Sequence, residues 1–180
     1  MVTAVDKSIS SVGFKLMTLV FRIRDFFRPR MELLQEAGIG AKFFVLDYGC
    51  GPGSYIVPLA RLVGTSGKIY ALDIHPLAIK AVRNITARKA ITNVETIESD
   101  CRTGLQDSHV DTVLLYDTFH ILSRPDDVLR ELHRVLKPFG TLSFSDHHMK
   151  EKDIIAKLTN MGLFKLLKKG EKTYSFSKAR

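Results

Sequence analysis

The chain has 180 residues, 45% hydrophobic and 26% charged, the proportions of a single globular domain with a sizeable core. Its two cysteines, Cys50 and Cys101, are too few for a disulfide framework and fall in no CxxC or zinc-like spacing, so a reduced, cytoplasmic setting is expected. The formal charge of +8 is concentrated at one end: residues 150–180 hold nine Lys/Arg against three Asp/Glu, whereas residues 41–149 hold twelve of each. Such a basic end reads either as a solvated face or as a contact for nucleic acid.

The first segment, VGFKLMTLVFRIRDFF, raises the question of a membrane span. Lys15, Arg22, Arg24 and Asp25 interrupt it well short of the ~20 apolar residues that spanning requires, so no span is expected. On a helix, Leu16, Leu19, Val20, Ile23, Phe26 and Phe27 form one stripe, with Lys15, Thr18, Arg22 and Asp25 opposite. RMELLQEAGIG follows as a short helix closed by Gly38 or Gly40. Residues 1–40 are therefore read as a helical segment covering a cleft in the domain formed by residues 41–180.

From there the chain alternates. FFVLDY is a first strand and Ser54 to Val63 a helix; KIYALDI is a second strand, followed by a helix that Pro76 opens and that runs to about Arg88. VETIES and VDTVLLY are the third and fourth strands. Pro125, Asp126 and Asp127 start a helix that ends near Leu136, and TLSFSD is a fifth strand. Strand and helix in strict succession predict an α/β fold with a doubly wound, Rossmann-like, mostly parallel sheet, covered on both faces as a three-layer sandwich. After a helix from about Glu151 to Asn160, FKLLKK and TYSFSK are separated by too few residues for a crossover. They predict a hairpin that completes a seven-stranded sheet with its last strand reversed.

In such a sheet, ligands bind beyond the carboxyl ends of the strands, where strand order reverses. The residues there are Asp47 to Gly53 after the first strand, Asp73 to His75 after the second, Asp100 and Cys101 after the third, Asp117 to His120 after the fourth, and Asp146 to His148 after the fifth. All five of these ends carry an acid, and the DYGCGPG loop carries no Lys or Arg. A phosphate is a poor match for that set, and the pattern G-x-G-x-x-G is only half met because its third glycine comes one residue early. A ligand bearing a positive charge and a ribose diol suits carboxylates at these places.

VLDYGCGPG resembles the first motif of the class I S-adenosylmethionine-dependent methyltransferases, an acid followed by G-x-G-x-G. The likeness continues in order through IYALDIHP, IESDC, VDTVLLYDTFH and ELHRVLKPFGTLSFSD, and resembles the pattern of small, single-domain, UbiE-like and methyltransferase-11-like members. It implies S-adenosylmethionine as the cofactor and S-adenosylhomocysteine as the product. It further implies that Asp47 supports the loop near the ammonium group, that Tyr48, Gly49, Cys50 and Gly51 line the cofactor, and that Asp73 holds the ribose hydroxyls. Ile74 would pack on the adenine, Asp100 would accept from its amino group, the Cys101 N–H would donate to the ring, and the Tyr116 backbone would touch the methionine part.

Methyl transfer is an in-line displacement that needs positioning and a dry site rather than a covalent nucleophile. Where the acceptor must lose a proton, His120 and Asp117 are the candidate catalytic groups, with the Asp146-His147-His148 cluster beside them. His147 and His148 point apart if the fifth strand continues through them, and no metal site is expected. The acceptor is read as a small molecule. The alternatives are RNA or protein, a non-catalytic cofactor-binding module, and a nicotinamide-dependent oxidoreductase.

Overall fold

The computed structural model describes residues 30–179 together with Gly13, so the apolar stripe expected over residues 16–27 lies outside the described residues. Helix α1 (Met31–Glu36) leads in and is stopped by Gly38, whose φ of +69° suits a left-handed cap. The alternating part runs β1 (Phe44–Tyr48), α2 (Ile56–Val63), β2 (Lys68–Asp73), α3 (Pro76–Lys89), β3 (Val94–Glu98) and β4 (Val110–Tyr116). It continues through α4 (Pro125–Val135), β5 (Leu136–Ser145), α5 (Glu151–Thr159), β6 (Phe164–Lys169) and β7 (Tyr174–Lys178).

The seven strands form one sheet in the order β3-β2-β1-β4-β5-β7-β6. Pairing is parallel from β3 across to β5, and β7 is antiparallel to both β5 and β6. The fold is therefore the doubly wound sandwich with a reversed last strand. Strands β1 and β4 are buried on both faces because helices cover each side, which is why FVLDY and VDTVLLY read as nearly unbroken apolar runs. Alternate residues of these strands feed two cores. Leu46, Val113 and Leu115 meet Leu129 and Leu132 of α4 and Leu158 of α5, whereas Val45 and Leu114 meet Leu34 of α1, Leu59 of α2 and Val82 of α3.

Two element boundaries depart from the sequence reading. Helix α2 starts at Ile56 rather than Ser54, because the chain is still turning there and the Ile56 N–H donates to the Gly53 carbonyl at 3.2 Å. Strand β5 starts at Leu136 rather than Thr141: Leu136 pairs with Val110 directly after α4, the register then shifts, and pairing resumes at Thr112 with Thr141. The intervening bulge leaves Phe139 94% exposed.

Three of the nine Lys/Arg of the basic end, Lys165, Lys168 and Lys169, are exposed on edge strand β6. That edge is three strands away from β4. Among the described residues, no helix is long and apolar enough to cross a membrane.

Candidate active site

The strand order reverses between β1 and β4, and the loops that follow these two strands meet there. Tyr48 ends β1, and Gly49, Gly51 and Gly53 turn the chain with φ values of +79°, +51° and +88°, a region that only glycine enters freely. The Gly49 and Cys50 N–H groups donate to the Leu72 carbonyl at 2.8 and 2.9 Å. The Gly51 N–H donates to Asp73 Oδ2 at 2.9 Å, while Asp73 Oδ1 accepts the His75 N–H at 2.8 Å. The loop is thus held from β2, by Asp73 and Leu72, and not by Asp47.

Two of the three glycines answer to protein packing. A Cβ on Gly49 would overlap Thr118 Oγ1, and one on Gly53 would lie 2.9 Å from Ile85 Cδ1. Gly49 lets the turn after β4 sit directly on the glycine loop, and Gly53 lets α3 close against it. Gly49→Ala is expected to lower stability by about 2–3 kcal/mol, from overpacking plus backbone strain. Adding Thr118→Ala will restore part of that loss, a coupling that denaturant melts of both single variants and the double variant will measure.

Asp47 carries the strongest electrostatic signature. Its side chain is buried, makes no hydrogen bond among the described residues, and leaves Oδ2 with no partner. Burial, followed by the charge of Asp73, pushes its carboxyl up to about 7. Asp73 is raised as well, by burial, although the backbone N–H groups of His75 and Gly51 pull in the opposite direction. Two carboxyls held this way suit a cation, and each oxygen of Asp73 keeps a second lone pair for a hydroxyl donor. The residues present therefore fit a cationic, ribose-bearing ligand.

The other expected cofactor residues flank this pair. Ile74 is partly exposed and belongs to neither core. The Tyr48 hydroxyl donates to the Asp100 carbonyl at 3.1 Å, tying the end of β1 to the segment after β3. The Asp100 carboxylate is exposed and paired with Arg124 at 2.7 Å, a partner that sequence reading missed because 24 residues separate the two. The Cys101 N–H, which the family likeness points at the ring, donates to Ser99 Oγ at 3.3 Å in this structure. Beside Asp100 and Cys101 opens a cavity of about 610 Å³, walled by Arg102, Arg124, Arg130 and Glu131. Cys50 is buried with its thiol pushed up by desolvation and then by Asp47 and Asp73, so it is a small packed residue and not a reactive thiolate. The Tyr116 side chain turns into the core, with its hydroxyl 2.7 Å from Ser143 Oγ, while its carbonyl accepts the Thr118 hydroxyl at 2.9 Å.

On the β4 and β5 side, side chains converge that are far apart in sequence. Asp146 is buried: its Oδ2 accepts the His120 N–H at 3.1 Å and lies 2.9 Å from His120 Nδ1, and its Oδ1 accepts the His148 N–H at 3.1 Å. Asp117, in a left-handed conformation at φ +49°, holds His147 Nδ1 at 2.7 Å. The His120 and His148 rings lie 4.2 Å apart and those of His148 and His147 lie 3.9 Å apart. The expected divergence of His147 and His148 is corrected here. Strand β5 ends at Ser145, the Met149 N–H turns back to the Asp146 carbonyl at 3.1 Å, and the two rings lie side by side at a tilt of 41°. Among the described residues, no group of three or more His, Cys, Asp or Glu side chains is arranged to hold a metal.

A methyltransferase-domain family matches residues 40–178, which takes in every strand and both Asp47 and Asp73. The chain belongs to the S-adenosylmethionine-dependent methyltransferase family. Over 146 residues it is 29% identical to the ubiquinone/menaquinone biosynthesis C-methyltransferase UbiE of Pseudomonas putida, covering 80% of this chain and 52% of that protein. Over 133 residues it is 28% identical to the demethylmenaquinone methyltransferase of Geobacillus stearothermophilus, covering 72% of this chain and 56% of that one. The chain thus spans about half the length of these relatives. A solved S-adenosylmethionine-dependent methyltransferase from Aquifex aeolicus superposes with a TM-score of 0.74 at 26% identity, covering 89% of this chain and 97% of that one.

Proposed function

We propose that this methyltransferase moves a methyl group from S-adenosylmethionine to a small, apolar, ring-bearing acceptor. The single observation that carries the donor half is the buried, unpartnered Oδ2 of Asp47 beside Asp73, a pair of carboxyls that a ligand with an ammonium group and a ribose would complete. When bound, S-adenosylmethionine supplies an electrophilic methyl group on a positively charged sulfur. The chain's own residues bind and orient. Asp47 would face the ammonium group, Asp73 the ribose hydroxyls and Ile74 one face of the adenine, while the Gly49–Gly53 backbone allows close approach. Asp100 is open to the amino group once it shares its carboxylate with Arg124.

The acceptor half rests on two supports. The relatives named above are quinone-biosynthesis methyltransferases by name, and Ile121, directly after His120, is 63% exposed at the same edge of the sheet. The basic strand β6 is the support for a nucleic-acid acceptor, and it lies on the far edge of the sheet. Calorimetric titration with S-adenosylhomocysteine and with NAD tests the donor assignment. Saturable binding of the first alone is expected, and binding of NAD alone would overturn it.

A further inference from the structure

We propose that Asp146 and His120 act as a proton-accepting pair, with Asp146 positioning His120 and His120 Nε2 taking the proton from an acceptor that must be deprotonated to be methylated. The acceptor class that follows is a weakly acidic one, a phenolic hydroxyl or an activated ring carbon of hydroquinone type. This rests on the methyl-transfer reading given above.

The geometry points to a role for each nitrogen. A carboxylate only accepts, and Asp146 takes the His120 and His148 N–H groups on its two oxygens, so its 2.9 Å contact assigns the hydrogen to His120 Nδ1. In the neutral imidazole Nε2 is then the bare acceptor, and it has no hydrogen-bond partner among the described residues. The carboxylate is buried while the imidazole side chain is 26% exposed, which is the arrangement of an anchor and a working end. The two groups come from the ends of different strands, β4 and β5, 26 residues apart, so the pair exists only in the folded sheet. The turn that carries His120 is seated on the glycine loop through Thr118 and Gly49, which places it beside the donor and not on a remote surface. The titratable groups facing His120 are Asp146 beneath it and the His148 ring at 4.2 Å, with His147 and its partner Asp117 beyond.

The step balances without a further reagent. The acceptor's electron pair forms the new bond to the methyl carbon as the carbon–sulfur bond breaks, and the electrons of that bond remain on sulfur as a neutral thioether. The acceptor's proton passes to His120 Nε2 and then to water. A positioned base of this kind is worth about 10²–10⁴-fold in rate.

Nitrogen-15 NMR of the histidine rings, in the wild type and in Asp146→Asn, is the primary test, accompanied by pH profiles of methylation over a panel of simple phenols and hydroquinones. The expected result is the Nδ1–H tautomer for His120, its loss or mixing in Asp146→Asn, and a fall in kcat of about 100-fold in His120→Gln with loss of the acidic limb of the pH profile, where protonation of the base lowers the rate. Binding of S-adenosylhomocysteine should stay within about threefold in both variants. An Nε2–H tautomer in the wild type overturns the pair whether or not any panel compound is methylated. So does an unchanged pH profile in His120→Gln, a substitution at a partly exposed site that leaves the buried Asp146 in place. Absence of S-adenosylhomocysteine binding in the wild type would instead overturn the donor assignment.

Discussion

Asp47→Asn is expected to raise the melting temperature of the cofactor-free protein at pH 8 and to leave it nearly unchanged at pH 4. The folded carboxyl is pushed up to about 7 by burial and by Asp73, whereas an unfolded Asp ionises near ~3.9. As pH rises between these values, the unfolded chain releases its proton while the folded chain keeps it. Folding stability from this group is therefore fully present below about pH 4, declines through the interval, and is lost above about pH 7. Three units correspond to at most about 4 kcal/mol, or roughly 10 °C for a domain of this size. The neutral amide has nothing to ionise and escapes the loss. The same substitution should weaken S-adenosylhomocysteine binding at pH 8 by about 10–100-fold, because the anion facing the ammonium group is gone. Calorimetry in buffers of different ionisation enthalpy should show the wild type, and not the variant, releasing a proton on binding near pH 7. Equal melting temperatures at pH 8 would remove Asp47 as the strained group of the site.

Asp73→Ala should have the larger effect on binding, a loss of about 10³-fold in S-adenosylhomocysteine affinity. Two effects act together. Charge-assisted hydrogen bonds to the two ribose hydroxyls are worth about 1.5–3 kcal/mol each. In addition, Asp73 Oδ2 holds the Gly51 N–H at 2.9 Å and Oδ1 holds the His75 N–H at 2.8 Å, so truncation frees the glycine loop and the start of α3. Asp73→Asn separates the two effects. Its amide oxygen still accepts one of these N–H groups and its charge is lost, so it should bind better than Ala and worse than the wild type. Near-unchanged affinity in Asp73→Ala, measured by the same calorimetry, would sink the ribose assignment.

The donor side was legible in the sequence because its residues are local. An apolar strand, an acid and glycines at alternate positions announce themselves within Val45 to Gly53, and an acid at each following strand end repeats the signal. What that stretch did not disclose is who needs the glycines. Gly49 and Gly53 make room for Thr118 and Ile85, residues 69 and 32 positions further on, and no local pattern points to either. Likewise the support of the loop falls to Asp73 because its carboxylate reaches across from β2, leaving Asp47 buried and unpaired.

The sequence by itself determined the class of fold, the reversed last strand and a preference for a cationic, ribose-bearing ligand, since periodicity, short links and strand-end acids are properties of neighbouring residues; the methyl donor was what the family resemblance implied. Tertiary structure alone decided which carboxyl is strained, that Arg124 guards Asp100, and that His120 meets Asp146 rather than its neighbour Asp117. Each of these pairings joins the ends of separate elements, and they come together only because the parallel sheet lines up the carboxyl ends of its strands along one edge.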